Sequence, residues 1–196
     1  MEAHQERFSR VLLLRHRENR GLAKARNTAF RYSRTPFVFV LDADNALYPH
    51  CLKRLMEALQ NSSASFAYAI AEKFGDVSGL TNYIPWNPTQ FAINNTIDAM
   101  VLIRKSEWEK VGGYSTDMPV MGWEDFDLWF KIARAGGWGV LVPEVLTRYR
   151  VHGSSMLRTV TNPKVGILWP HLRQTYPEFF GETSNLATCH TLGASA

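Results

Sequence analysis

The chain reads as an α/β domain, a mixed and mostly parallel sheet flanked by helices, and three observations carry that reading. An apolar run at residues 37–41 stops abruptly at Asp42 and Asp44. Strand-like and helix-like segments alternate through the first half of the chain, as they do in α/β domains. Further on, Phe126, Trp129, Phe130 and Ala133 recur at the spacing of one helix face, so an amphipathic helix packs on that sheet.

Residues 11–14 form a short apolar strand candidate, followed by a polar loop closed by Gly21. Residues 22–33 read as a helix with Ala23, Ala25 and Ala29 at packing positions. The next strand, at residues 37–41, should then pair in parallel with the first through a right-handed crossover. Five apolar residues in a row suit a strand covered on both faces, which has no natural place for charge. Asp42 and Asp44 thus fall where the carboxyl end of a parallel strand opens into a ligand crevice. On extended backbone both carboxylates point the same way and can face one hard cation. A plain turn, however, uses the same residue types.

Pro49 suits the first turn of a helix in which Leu52, Leu55, Met56 and Leu59 recur at helical spacing. Residues 66–71 are the next strand. Between residues 72 and 94 the pattern dissolves into glycine, proline, aromatic and amide side chains, the composition of a binding loop or of an idle surface excursion. Residues 99–103 are a strand, and residues 105–111 a short helix ended by Gly112 and Gly113. The amphipathic helix carries Glu124, Asp125 and Asp127 in its first turn and is closed by Gly136 and Gly137. A strand at residues 140–142 is stopped by Pro143, and a further one at residues 145–151 leads into His152. Helix returns around residues 168–176. One domain over residues 1–180 results, with a tail at residues 181–196 that frays.

Composition narrows the function. The net charge of +4 is spread along the chain, which does not mark a nucleic-acid binder but leaves anionic small molecules and membrane surfaces as partners. Cys51 and Cys189 lie far apart without Cys-x-x-Cys spacing, so they read as reduced thiols of a cytoplasmic protein. The first ten residues are too polar for a signal peptide, and no apolar run approaches the roughly 20 residues that cross a bilayer. The expectation is a cytoplasmic chain without a transmembrane segment, free to touch the inner face of a membrane.

Chemistry gathers at Asp42 with Asp44, at Glu124 with Asp125, and at His152. Carboxylates plus one imidazole compose a site for Mn²⁺ or Mg²⁺ that leaves positions to phosphates and water. Each cluster also has a plainer reading. Glu124 and Asp125 cap free amides at a helix N-terminus, and His152 is a hydrogen-bonded histidine at a strand end.

Five stretches stand in order: Asn19-Arg-Gly-Leu-Ala-Lys-Ala-Arg26-Asn27, Phe39-Val-Leu-Asp42-Ala-Asp44, Ile103-Arg-Lys with Val111-Gly-Gly-Tyr, Gly122-Trp-Glu-Asp125-Phe-Asp-Leu-Trp, and Tyr149-Arg-Val-His152. This succession, over residues 11–156, resembles the family 2 glycosyltransferases of GT-A fold. The resemblance implies a hexosyltransferase that moves a sugar from a nucleotide-diphosphate donor to a hydroxyl of a glycan or lipid-linked acceptor, with inversion. It places Asp42 near the ribose and metal, Asp44 and His152 on the divalent cation (Mn or Mg) that bridges the donor phosphates, and Arg26 against the donor. Asp125 matches the general base, and Glu124 orients the acceptor or sets the pKa of Asp125 by like charge. Trp123, together with Tyr83, Trp86 and Phe91 of the long loop, then offers rings on which an acceptor sugar stacks.

One departure accompanies these matches. Family members begin with a strand ending in a Pro-x-Tyr-Asn-like stretch, a helix, and a second strand ending in an Asp-Asp-x-Ser-like turn, and neither stretch stands here. The expectation is an N-terminally truncated GT-A-like sheet in which residues 11–14 correspond to the third strand and residues 37–41 are left with an apolar edge. Three readings stay open: a clipped reading frame, a half domain completed by a partner chain or oligomer, and a non-catalytic remnant that serves as a binding or assembly module.

Overall fold

The computed structural model describes residues 8–180, and six strands form one mixed sheet between helices. The strands are β1 (Phe37–Phe39), β2 (Ala46–Leu47), β3 (Phe66–Gly75), β4 (Gly79–Thr81), β5 (Leu102–Arg104) and β6 (Gly139–Val151). Across the sheet they run β1-β5-β3-β6-β2, with β4 also paired to β3. The helices are α1 (Leu22–Tyr32), α2 (Cys51–Gln60), α3 (Lys105–Lys110), α4 (Glu124–Arg134) and α5 (Val165–Thr175).

The α/β class and the mixed sheet are as expected, but the share of parallel pairing is smaller. β3 and β6 form the one parallel ladder, from Phe66 opposite Gly139 to Gly75 opposite Val151. The other four pairings are antiparallel. The difference begins at residues 11–14, which form no strand and leave Val11, Leu12 and Leu13 exposed. Without a neighbour to accept their backbone hydrogen bonds, apolar residues alone do not make a strand. The crossover through α1 is therefore missing, and β1 pairs antiparallel with β5 instead, Phe37 opposite Arg104. β1 is the last strand on its side, half-buried along its length, which is the apolar edge expected there.

Pro143 does not divide β6. The register against β3 shifts on both sides of Ile70, so that Val142 and Val145 face consecutive β3 residues and Pro143 and Glu144 sit in a bulge. A residue without an N–H costs the ladder nothing there.

Side chains along β3 alternate between two cores, as a strand covered on both faces requires. Phe66 and Tyr68 join α1, α4 and α5 in the larger core, where Phe30, Ile103, Trp129 and Leu168 are fully buried or nearly so. Ala67 and Ala69 face α2, whose Leu55 and Leu59 pack with Leu102, Val142 and Leu146. Three hydrogen bonds tie distant segments to this frame. Trp129 stacks on Phe66 with ring centroids 4.4 Å apart and donates its Nε1–H to the Ile97 carbonyl at 3.0 Å. Asn27 of α1 donates to the Tyr114 carbonyl at 2.8 Å and accepts the Tyr114 N–H at 2.9 Å.

Cys51 is a buried free thiol, and burial pushes it up to about 11, which leaves it unreactive at neutral pH. Cys189 and the tail lie outside the described residues. Among the described residues no helix is long and apolar enough to cross a membrane.

Candidate active site

The parallel ladder of β3 and β6 ends at Gly75 and Val151, and a cavity of about 820 Å³ opens beside that carboxyl end. Chain segments from both halves of the sequence meet there. Arg26, Asp42, Asp44, Trp123, Glu124, Asp125 and His152 all line it. Seven of the ten residues singled out by motif and resemblance thus share one cavity, which the order of the sheet brings about and no local spacing requires.

Asp42 and Asp44 stand on a turn and not on extended backbone, for the Asn45 N–H donates to the Asp42 carbonyl at 3.1 Å. Asp42 Oδ1 accepts from Arg26 Nη2 at 2.9 Å, an ion pair whose arginine side chain is only 10% exposed. Asp44 Oδ2 lies 3.2 Å from His152 Nε2, while His152 Nδ1 lies 3.0 Å from Ser154 Oγ. The serine fixes the ring so that Nε2 meets the carboxylate, the way outer hydrogen bonds orient a metal-binding histidine. Arg150 braces the same turn from β6, with its N–H on Asn45 Oδ1 at 2.9 Å and its Nε on the Asp44 carbonyl at 3.1 Å.

Among the described residues no three His, Cys, Asp or Glu side chains converge as a closed metal cluster. The exposed Asp44 and His152 pair nevertheless fits a divalent cation that keeps its other positions for phosphate oxygens and water. Asp42 is committed to Arg26 and is the weaker candidate ligand.

Glu124 and Asp125 open α4. Glu124 is buried and its Oε2 accepts the Gly122 N–H at 2.7 Å, which closes the loop ahead of the helix. Asp125 Oδ1 accepts the Phe126 N–H at 2.8 Å, so it does serve a free amide of the first turn. Its Oδ2 faces the cavity, with the Asn95 amide at 3.5 Å. Burial raises the Asp125 carboxyl to about 7, with the charges of Glu124 and Asp98 adding to the rise and Arg26 and the Phe126 N–H opposing it. A carboxyl poised near neutrality in a cleft is suited to taking and releasing a proton.

Two aromatic candidates lie elsewhere. Tyr83 is 57% exposed and outside the cavity lining. Trp86 packs edge-on against Phe66, with centroids 5.2 Å apart, and serves the larger core. The Phe91 side chain lies outside the described residues. The cavity also contains residues that no motif announced: Lys73, Asn82, Asn95 and Asp98. Asp98 carried one usable signal, a lone carboxylate inside the apolar run from Ile97 to Val101. Burial raises it to about 6, against the Met100 N–H, the nearby Asn82 amide and Arg26.

The family model described as glycosyl transferase family 2 matches residues 1–118, and the chain belongs to that family. No curated protein matches the sequence. Among solved structures, the S. aureus protein TarS (residues 1–349) in complex with UDP-GlcNAc superposes with a TM-score of 0.54 at 12% identity, over 71% of this chain and 41% of that one. The mannosyltransferase PcManGT of Pyrobaculum calidifontis, in complex with GDP-Man and Mn²⁺, gives 0.54 at 21% identity, over 74% and 40%. TarS without ligand gives 0.53 at 14% identity, over 69% and 42%. These likenesses show a shared GT-A type of fold, and this chain spans about two fifths of the length of each of those proteins.

Proposed function

We propose that the chain transfers a sugar from a nucleoside-diphosphate donor to an acceptor hydroxyl, with a divalent cation at Asp44 and His152 and with inversion at the anomeric carbon. One observation carries this reading: a carboxylate–imidazole pair, an arginine ion pair and a near-neutral carboxyl from four separate chain segments line a single cavity. The solved relatives bind UDP-GlcNAc and GDP-Man, and one holds Mn²⁺, which supports a nucleotide sugar and a metal here.

Asp44 and His152 hold the cation, with Arg150 and Ser154 keeping both in place. When bound, the cation supplies positive charge beside the phosphates of the departing nucleoside diphosphate. Arg26, oriented by Asp42, adds a fixed positive charge on the same side. Asp125 takes the proton of the acceptor hydroxyl as that oxygen bonds to the anomeric carbon. The bond from that carbon to the diphosphate breaks on the opposite face, and its electron pair leaves with the diphosphate. Glu124 acts at one remove, since it closes the loop at Gly122 and raises the Asp125 pKa by like charge. Trp123 lines the wall against which an acceptor ring would lie. The acceptor is a glycan or lipid-linked hydroxyl, and the setting is the cytoplasm with access to a membrane face.

Titration of the chain with UDP and GDP in Mn²⁺ tests the reading. The parent chain should bind one of them, and Asp44→Ala should weaken that binding at least about tenfold, the usual loss when a ligand of a nucleotide-bound cation is removed. Equal affinity in parent and variant would refute the metal assignment.

A second reading is favoured by the open edge at β1: a module without catalysis that pairs its sheet with a partner. It predicts an obligate complex and no nucleotide binding.

A further inference from the structure

We propose that Asp98 and Asn82 form a clamp for hydroxyl groups on the transferred sugar, a subsite that rests on the donor reading above and deepens it. Asn82 is 4% exposed yet lines the cavity. Its Oδ1 is used, accepting the Asp98 N–H at 3.2 Å, while its buried Nδ2, within reach of the Asp98 carboxyl, completes no hydrogen bond among the described residues. Asp98 lines the cavity too, and its Oδ1 accepts the Met100 N–H at 2.8 Å while its Oδ2 is buried without a partner.

A buried donor or acceptor left unmade is costly, so such groups in a native fold call for a reason. Here an unused carboxylate oxygen and an unused amide N–H belong to two residues tied by the bond from the Asp98 N–H to Asn82 Oδ1, and both residues line the same cavity. A hydroxyl satisfies both at once, since it donates its proton to the carboxylate and accepts from the amide. Two neighbouring hydroxyls on a sugar ring do so with less strain. A phosphate fits poorly, because the carboxylate repels it.

The position agrees with a sugar. Asp98 is close enough to Asp42 and to Asp125 for its charge to be felt at both. All three carboxylates line the one cavity, so the clamp shares it with the proposed donor side and the proton acceptor. The clamp is also rigidly mounted. Ile97, one residue before Asp98, accepts the hydrogen bond of the fully buried Trp129, and Asn82 is locked at φ 60, the left-handed region that asparagine tolerates better than most residues.

Calorimetric titration of the full chain in Mn²⁺ with UDP, GDP, UDP-GlcNAc, UDP-glucose and GDP-mannose separates the contributions of sugar and nucleotide. Asp98→Asn keeps the shape and removes the charge, and Asn82→Gly keeps the left-handed backbone and removes the amide. Each should weaken the preferred nucleotide sugar by about 10- to 100-fold, the worth of a charged hydrogen bond. Binding of the bare nucleoside diphosphate should change by no more than about threefold, which also certifies the fold of the variants. An equal loss for the bare nucleoside diphosphate would overturn the clamp, because the pair would then read the nucleoside. Unchanged sugar preference in both variants would overturn it as well and leave the donor reading standing. If the parent chain bound no nucleoside diphosphate at all, the donor reading and the clamp would fall together.

Discussion

Asp125 is held under two opposed demands. Its folded pKa, raised to about 7 mainly by burial, lies above the ordinary carboxylate value, so the ionised form is the one that folding disfavours. The stability associated with this group is complete below about pH 4 and drains away as the pH rises through 7. Proton abstraction needs that ionised form, so transfer should climb with pH and level off above about 7. Asp125→Asn should lower transfer by about 10²–10⁴-fold and flatten the climb. The same variant should be more stable than the parent at pH 8, on the order of 2 kcal/mol, with the gain vanishing towards pH 4. Parallel urea melts at the two pH values check the sign. Residues of this kind were legible because their motifs set type and spacing together: Asp42, Asp44, Asp125 and His152 all reach the cavity. Asp98 and Asn82 were not, because their partnership is made by a loop folding back on a core tryptophan, and no short spacing records that. Trp86 shows the converse, for aromatic composition in a loop says nothing about which ring the core will claim.

At the scale of elements, α4 shows how tightly the site is tied to packing. Gly122, at φ 113, approaches Thr161 so closely that a Cβ would collide with the threonine side chain. The Thr161 hydroxyl donates to the neighbouring Met121 carbonyl at 2.9 Å, and the Gly122 N–H donates to Glu124. Gly122→Ala should therefore cost about 1–3 kcal/mol through strain and the shifted loop, and lower transfer besides. Thermal melting with an activity assay reads both. By contrast no residue of α2 lines the cavity. Leu55→Ala there should cost about 2–5 kcal/mol while leaving the affinity of the surviving folded chain for nucleotide intact. The helices were readable from apolar periodicity, whereas the strands were read less well. An apolar run such as residues 11–14 looks like a strand in isolation, but pairing is a property of two segments. β6 was mistaken for two strands because the bulge that accommodates Pro143 belongs to its register with β3.

For the molecule as a whole, the exposed side of β1 and the nearby Leu41, itself 48% exposed, make an edge open to pairing. Sedimentation velocity should show heavier species as the chain is concentrated, and Leu41→Lys should shift the balance back towards the single chain, since a charged residue blunts an edge. A parent chain that stays single at every concentration would show that the edge is guarded by other means.

The central ladder joins Phe66 to Gly139 and Gly75 to Val151, and between its two strands the chain lays down β4, β5, α3, α4 and part of the cavity wall. Closing so long a loop before any ladder contact rewards it is entropically uphill, so the slow step of folding should be the meeting of β3 with β6. Asp98 and Asp125, both inside that loop, would then find their places only after the barrier is crossed. Substitutions at the cavity would accordingly hasten unfolding and leave the rate of folding nearly untouched.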